Sequence, residues 1–272
     1  MIKNETLKKI LPSSILLNPI GKNGNEIWIE DFEQIYPIFF KSVLEIQKAD
    51  ITEFSGFGEF TEDGKPEFST FQDFLVKSFD DSNDDYWKNW KELFNTSMMK
   101  KEFFEKYFNK MIELGSFCQN QRFLVNNNLF FGNMIIMKDS VGFIDWNRAA
   151  ITDWILDFAT MDLHRPYFKI PEKLVPFFKQ NGIEVPNFKE RFLCMAYYKG
   201  LNALRWHASI DDETSCKTII ASISELEDRI NFSNSKIRRW KIVVHSKRRR
   251  FYTLGNFVWC KTCIKKTKST YL

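Results

Sequence analysis

Residues 123–159 read FLVNNNLFFGNMIIMKDSVGFIDWNRAAITDWILDFA, and this stretch decides the fold. Phe123-Leu124-Val125 is a short apolar run. Met134-Ile135-Ile136-Met137 and Val141-Gly142-Phe143-Ile144 are two more, joined by the polar turn Lys138-Asp139-Ser140. Short apolar runs bounded by turn residues predict strands, so the stretch predicts a β-hairpin preceded by one strand. On both sides the period is helical. Upstream, Phe32, Ile35, Phe39, Val43 and Ile46 recur at steps of three or four, with Asp31 as a candidate cap and Pro37 as a candidate kink. Ser69 or Thr70 caps a second stripe of Phe71, Phe74, Leu75 and Phe79. Residues 86–118 predict one or two long helices. Downstream, helical patterns cover 153–161, 173–180, 188–208 and 211–229. Ile27-Trp28-Ile29 predicts a short strand, and Ser55-Gly56-Phe57-Gly58 and Asp63-Gly64-Lys65-Pro66 predict loops. The expected fold class is mainly α with a small β-hairpin.

Composition agrees. The chain has 272 residues, 44% of them hydrophobic, enough for a core, with 28 Phe against only 11 Gly and 8 Pro. The net charge of +4 hides a split: residues 234–272 hold 12 Lys/Arg and no Asp/Glu, leaving 27 basic against 35 acidic residues in 1–233. The body is acidic and the tail basic, so the isoelectric point describes neither. Five cysteines, three of them scattered, suggest no disulfide framework. No run of eighteen apolar residues and no cleavable leader pattern is visible, so a cytoplasmic, non-membrane protein is expected.

The hairpin brings two polar residues to one end. Asn133 follows Gly132 into the first strand and Asp145 leaves the second. An amide oxygen facing a carboxylate suits Mg²⁺, which takes oxygen ligands and keeps nucleotide phosphates as others. The same spacing also fits a plain loop, with Asn133 satisfying backbone and Asp145 capping the next turn.

The stretch resembles the catalytic half of the aminoglycoside phosphotransferase family, a branch of the protein-kinase-like fold, and is most like its hygromycin B kinase branch. That family reads His-x-Asp-x-x-x-x-Asn, a hairpin, Ile-Asp-Trp, then two carboxylates four apart. The matching residues are Asn126, Asn128, Asn133, Asp145 with Trp146, and Asp153 with Asp157. The upstream Ser55-Gly56-Phe57-Gly58 and the run from Phe68 to Phe74 add a weaker likeness, and the whole covers roughly 27–231. The resemblance implies an ATP-dependent transfer of phosphate to a hydroxyl of an aminoglycoside-like small molecule, hence antibiotic resistance, with Mg²⁺ and ATP as cofactors. Asn133 and Asp145 are the implied metal and nucleotide ligands.

Two departures follow from the same comparison. The family's catalytic Asp falls on Asn128 and its His on Asn126. An amide takes no proton near neutral pH, and general-base catalysis contributes about 10²–10⁴-fold. The N-terminal lobe that carries the phosphate-covering loop and its Lys is also largely missing, since Gly21-Lys22-Asn23-Gly24 is too short to be that loop. The expectation is therefore the C-terminal lobe alone: 1–26 an N-terminal remnant, 27–231 the lobe, 232–272 the basic tail. Such a chain is a truncated family member, weakly active or inactive, a pseudoenzyme, with self-association through the uncovered lobe face.

Candidate substrate contacts are Asp153, Asp157, His164, Arg165, Asp211 and Asp212. His164-Arg165 before Pro166 also reads as a helix end, and Asp211-Asp212 as an ordinary helix start. His207 reads as a packed residue. In the tail, Trp259-Cys260-Lys261-Thr262-Cys263 lacks a second ligand pair for zinc and a βαβ setting for redox chemistry. Competing functions are a non-catalytic binder of a cationic small molecule and a basic-tailed nucleic-acid-associated protein; the tail also fits newly acquired coding sequence.

Overall fold

A computed structural model describes residues 7, 8, 10, 11, 21–27, 29–81, 86–231, 251–254 and 257–260. The predicted hairpin is present: β5 (Met134–Ile136) pairs antiparallel with β6 (Val141–Phe143), with Ile135 opposite Gly142. A two-residue strand, β1 (Lys22–Asn23), adds to the outer edge of β5. The predicted preceding strand, β4 (Phe123–Val125), pairs elsewhere. It joins β7 (Ala150–Thr152), β2 (Phe57–Phe60) and β3 (Pro66–Phe68) in an antiparallel sheet ordered β3-β2-β7-β4. Residues 55–66, expected as loops, thus hold a hairpin. Its glycines serve the geometry: Gly56 and Gly58 have φ of +91° and +92°, a region open to glycine and strained for other residues.

Helix α1 (Ile29–Ile46) begins earlier than the sequence suggests and runs through Pro37. Ile29 is helical, so the expected strand at 27–29 does not form, and Asp31 sits in the first turn instead of capping it. Phe32 lies three residues on from Ile29, and the helical period wins over the local apolar triplet. Helix α2 (Phe71–Lys77) starts as expected, with Thr70 Oγ1 accepting from Asp73 N at 3.0 Å. Residues 86–118 break into a 3₁₀ turn, α3 (Leu93–Thr96) and α4 (Lys101–Leu114). Then come α5 (Ile155–His164), α6 (Ile170–Gln180), α7 (Phe188–Ser209) and α8 (Glu213–Ile230).

Helix α7 is the central pillar. It packs against α4, α5 and α8 and is buried over most of its circumference, which is why its sequence lacks a clean polar face. A Cβ on Gly200 would stand 2.6 Å from Ile223 Cδ1, so that glycine permits the close approach of α8. The phenylalanines fill the space between α1, the hairpin and α5: Phe39 meets Phe143 and Phe158 edge-on at 6.3 and 5.8 Å. Edge-to-face pairs of this kind add about 0.5–1.5 kcal/mol each beyond the area they bury. Among the described residues, no helix is long and apolar enough to cross a membrane. Their exposed large apolar side chains are Val76, Tyr86, Phe117, Val175 and Ile210, none on the hairpin. The tail contributes the backbone of two paired strands, β8 (Phe251–Leu254) and β9 (Phe257–Cys260). The cluster Lys247-Arg248-Arg249-Arg250, Cys263 and Trp28 lie outside the described residues.

Candidate active site

Three asparagines, Asn126, Asn127 and Asn128, follow β4 and form a loop that is held from below. Asp157, on α5, accepts from Asn126 N through Oδ2 and from Asn127 N through Oδ1, both at 2.9 Å. Its carboxyl is 1% exposed, and burial pushes its pKa up to about 6 against the opposing pull of the two amides and Lys199. Asn127 adopts φ +58°, a conformation Asn tolerates better than most residues. Its amide donates to Glu59 Oε1 and Arg148 O, both at 3.0 Å. Lys199 Nζ donates to Asn127 O at 2.7 Å and to its Oδ1 at 3.0 Å. Burial, then Arg148, pushes Lys199 down to about 7, with Glu59 and Asp157 opposing.

The far end of the loop meets the hairpin. Asn128 Nδ2 donates to Asp145 Oδ2 at 2.8 Å. Asn133 Nδ2 donates to Asn128 O at 2.8 Å, and Asn126 Nδ2 to Ile144 O at 3.3 Å. Asp145 is exposed and has φ +56°, a strained turn of the chain that faces its carboxylate toward the loop. The N-terminal segment closes the other side: Asn23 Nδ2 donates to Gly132 O at 3.1 Å, and a Cβ at Gly24 would stand 2.2 Å from Phe131 O.

The structure thus gathers Asn126, Asn128, Asn133, Asp145 and Asp157, five of the residues singled out from sequence. It separates the others. Asp153 is spent on a buried ion pair: Arg191 Nε and Nη2 donate to its two oxygens at 2.7 and 2.8 Å. Asp157 holds backbone and offers no surface to a substrate. Asp212 caps α8, accepting from Ser215 N at 3.0 Å, and its other oxygen lies 3.1 Å from His207 Nδ1. Asp211 sits beside it at the junction of α7 and α8. Three Asp expected to face a substrate are therefore structural. His164 and Arg165 border the loop, with the His164 ring 6.1 Å from Phe130 and the Arg165 guanidinium 5.7 Å from Phe131. Sequence reasoning missed Lys199, Glu59 and Arg148. The only signal for Lys199 was a lone cation within the apolar helix MAYYKGLN.

As a metal site the pair Asn133 and Asp145 offers two oxygen-bearing side chains, the donor type Mg²⁺ takes. Among the described residues no group of three or more His, Cys, Asp or Glu could hold a metal ion, so a bound ion would need phosphate oxygens or water to complete its shell. The residues fit Mg²⁺ in that partial sense.

No protein-family model matches the sequence, and no curated protein does. Solved structures do match. A thermostable mutant of aminoglycoside phosphotransferase APH(4)-Ia, in a ternary complex with AMP-PNP and hygromycin B, superposes with a TM-score of 0.66 at 14% identity over 83% of this chain and 81% of that chain. Another, with ADP and hygromycin B, gives 0.66 at 15% identity over 85% and 82%. An apo form gives 0.65 at 16% identity over 82% and 81%. At such identities the likeness establishes the fold: this chain has the aminoglycoside phosphotransferase, kinase-like architecture.

Proposed function

We propose that the chain derives from an ATP-dependent small-molecule phosphotransferase and retains its nucleotide-metal corner while having lost its general base. The observation that carries this reading is the Asn128–Asp145 contact at 2.8 Å. In the kinase-like arrangement the position of Asn128 belongs to the carboxylate that receives the hydroxyl proton. Here an amide stands there and donates to the neighbouring carboxylate. Asp145 and Asn133 would hold Mg²⁺, which supplies charge neutralisation for phosphate oxygens. Asn128 would orient an acceptor hydroxyl without taking its proton, and Asp157 with Lys199 would keep the loop in place.

The test is Mg²⁺·ATP binding and phosphate transfer by the wild type, Asp145→Ala and Asn128→Asp, with hygromycin B and other hydroxylated acceptors. Binding should be weak and lost in Asp145→Ala. Transfer should be far below the roughly 1–100 s⁻¹ usual for kinases. Asn128→Asp should return at most about 10²–10⁴-fold, or about 3–5 kcal/mol. Wild-type turnover in the ordinary kinase range, or ATP binding indifferent to Asp145, overturns the reading.

A further inference from the structure

The tail plays no part in the reading above, and its composition sets it apart from the body of the chain. Its described residues nevertheless form a hairpin that the sequence itself supports. Phe251-Tyr252-Thr253-Leu254 and Phe257-Val258-Trp259-Cys260 are rich in aromatic and β-branched residues. Gly255-Asn256 between them is a pair that two-residue hairpin connections favour. The backbone agrees: β8 runs antiparallel to β9, with Leu254 opposite Phe257 and Tyr252 opposite Trp259. A two-residue connection closes on a hydrogen-bonded pair, so Leu254 and Tyr252 bond to β9, and the backbone polar groups of Phe251 and Thr253 face away from it. Among the described strands β8 has no other neighbour, so that edge carries free N–H donors.

A lone two-stranded hairpin is marginal in water, and this one needs a surface. The structure sets β8 against the 3₁₀ turn Gly24–Glu26. That turn is itself thinly fastened. The strand ahead of it, β1, is two residues long and pairs only with β5. Asn25 Oδ1, on the turn, is buried with no hydrogen-bond partner among the described residues. A buried acceptor without a donor costs free energy, and a strand edge with free N–H groups is the complement it lacks. The turn in its turn presses on Phe131–Asn133. Asn23 Nδ2 donates to Gly132 O at 3.1 Å, and Gly24 leaves no room for a Cβ beside Phe131 O. Asn133 at the end of that segment donates to Asn128 O at 2.8 Å.

We propose that the tail hairpin is an intramolecular brace: β8 docks its free edge on the Gly24–Glu26 turn and through it fixes the position of Asn133. The tail is then part of the folded protein, and neither a free nucleic-acid arm nor an appendage without a place. The docking does not depend on the phosphotransferase reading; only the use made of Asn133 does.

Hydrogen exchange of the full chain, read by mass spectrometry, tests this. In the wild type, amides of 251–254 and 257–260 should exchange at least about tenfold more slowly than in the urea-unfolded chain, at every protein concentration. Tyr252→Pro removes a ladder N–H and breaks the hairpin. It should speed exchange at 22–26 and at 131–133 at least about tenfold, while α7 keeps its protection and shows that the core is intact. Tail amides exchanging at the unfolded rate in the wild type overturn the proposal. So does either segment, 22–26 or 131–133, left unchanged in Tyr252→Pro. Tail protection that grows with protein concentration overturns it as well, since the hairpin would then dock on a second copy of the chain. Failure of the Asp145-dependent Mg²⁺·ATP signal sinks the phosphotransferase reading and leaves the exchange result standing.

Discussion

Asp153 separates a structural account of this site from a substrate-binding one. Its carboxylate is 0% exposed and its partner Arg191 3%. Two hydrogen bonds of 2.7 and 2.8 Å join them in a fork, and Asp153 Oδ1 also accepts from Ile155 N at 3.0 Å where α5 begins. Asp153→Ala strips the guanidinium of its counter-ion where water does not reach. Removing one partner of a buried pair costs about 3–5 kcal/mol, against a total stability of about 5–15 kcal/mol. Each kcal/mol is worth about 2–4 °C in a chain near this size, so the melting temperature should fall by roughly 10 °C. Arg191→Met alone should cost a comparable amount. The double variant Asp153→Leu, Arg191→Met should recover most of the loss, because replacing both charges by apolar groups is often neutral or better. Urea unfolding of the wild type, Asp153→Leu, Arg191→Met and the double variant closes the cycle and gives the coupling energy. If Asp153→Ala unfolds within about 1 kcal/mol of wild type, the reasoning fails. If it does so and also loses ligand binding, Asp153 belongs to the cleft after all.

Two more predictions follow from the loop's supports. Asp157 is raised to about 6 from an unfolded value of 3.8, so its contribution to stability is full below the unfolded value and lost as pH rises through about 6. That is a swing of about 3 kcal/mol at most. Asp157→Asn should therefore be more damaging relative to wild type at pH 4 than at pH 7 in urea titrations, and the opposite trend refutes the assignment. Gly24→Ala would drive a Cβ to within 2.2 Å of Phe131 O. Overpacking of this kind costs about 1–3 kcal/mol, and the shift should reach Asn133 and weaken Mg²⁺·ATP binding; unchanged stability and binding would show that the N-terminal segment does not position the loop.

The hairpin was legible because its signals are local: two apolar runs and a polar turn within eleven residues. The helices were legible by period. What escaped the sequence depends on distant partners. Ala150-Ile151-Thr152 is too short to declare itself a strand and exists because β2 and β4 flank it. The Gly-rich 55–58 segment reads as loop because glycine disfavours strands in isolation, yet here φ near +90° is what the hairpin requires. At the site, pattern located the loop and the two residues, Asn133 and Asp145, that contact Asn128. Asp153 and Asp212 were misassigned because spacing shows a carboxylate but not whether Arg191 or the Ser215 amide already occupies it. Lys199 was missed because one lysine on a helix ordinarily marks the solvent side.

These two kinds of residue are divided in a consistent way. The groups that would do chemistry, at Asn126 and Asn128, are amides where the resembling family has an imidazole and a carboxylate. The groups that hold the loop form a continuous network from Asp157 through Asn127 to Lys199, Glu59 and Arg148. Asn127 is its hub, accepting from and donating to four elements of the fold while holding a positive φ. A loop freed of all function has no need of a strained residue fixed from four sides; one that still has to present Asn128, Asp145 and Asn133 to a ligand does. The retained scaffold therefore supports the proposal that this loop still holds a ligand even where phosphate transfer is slow.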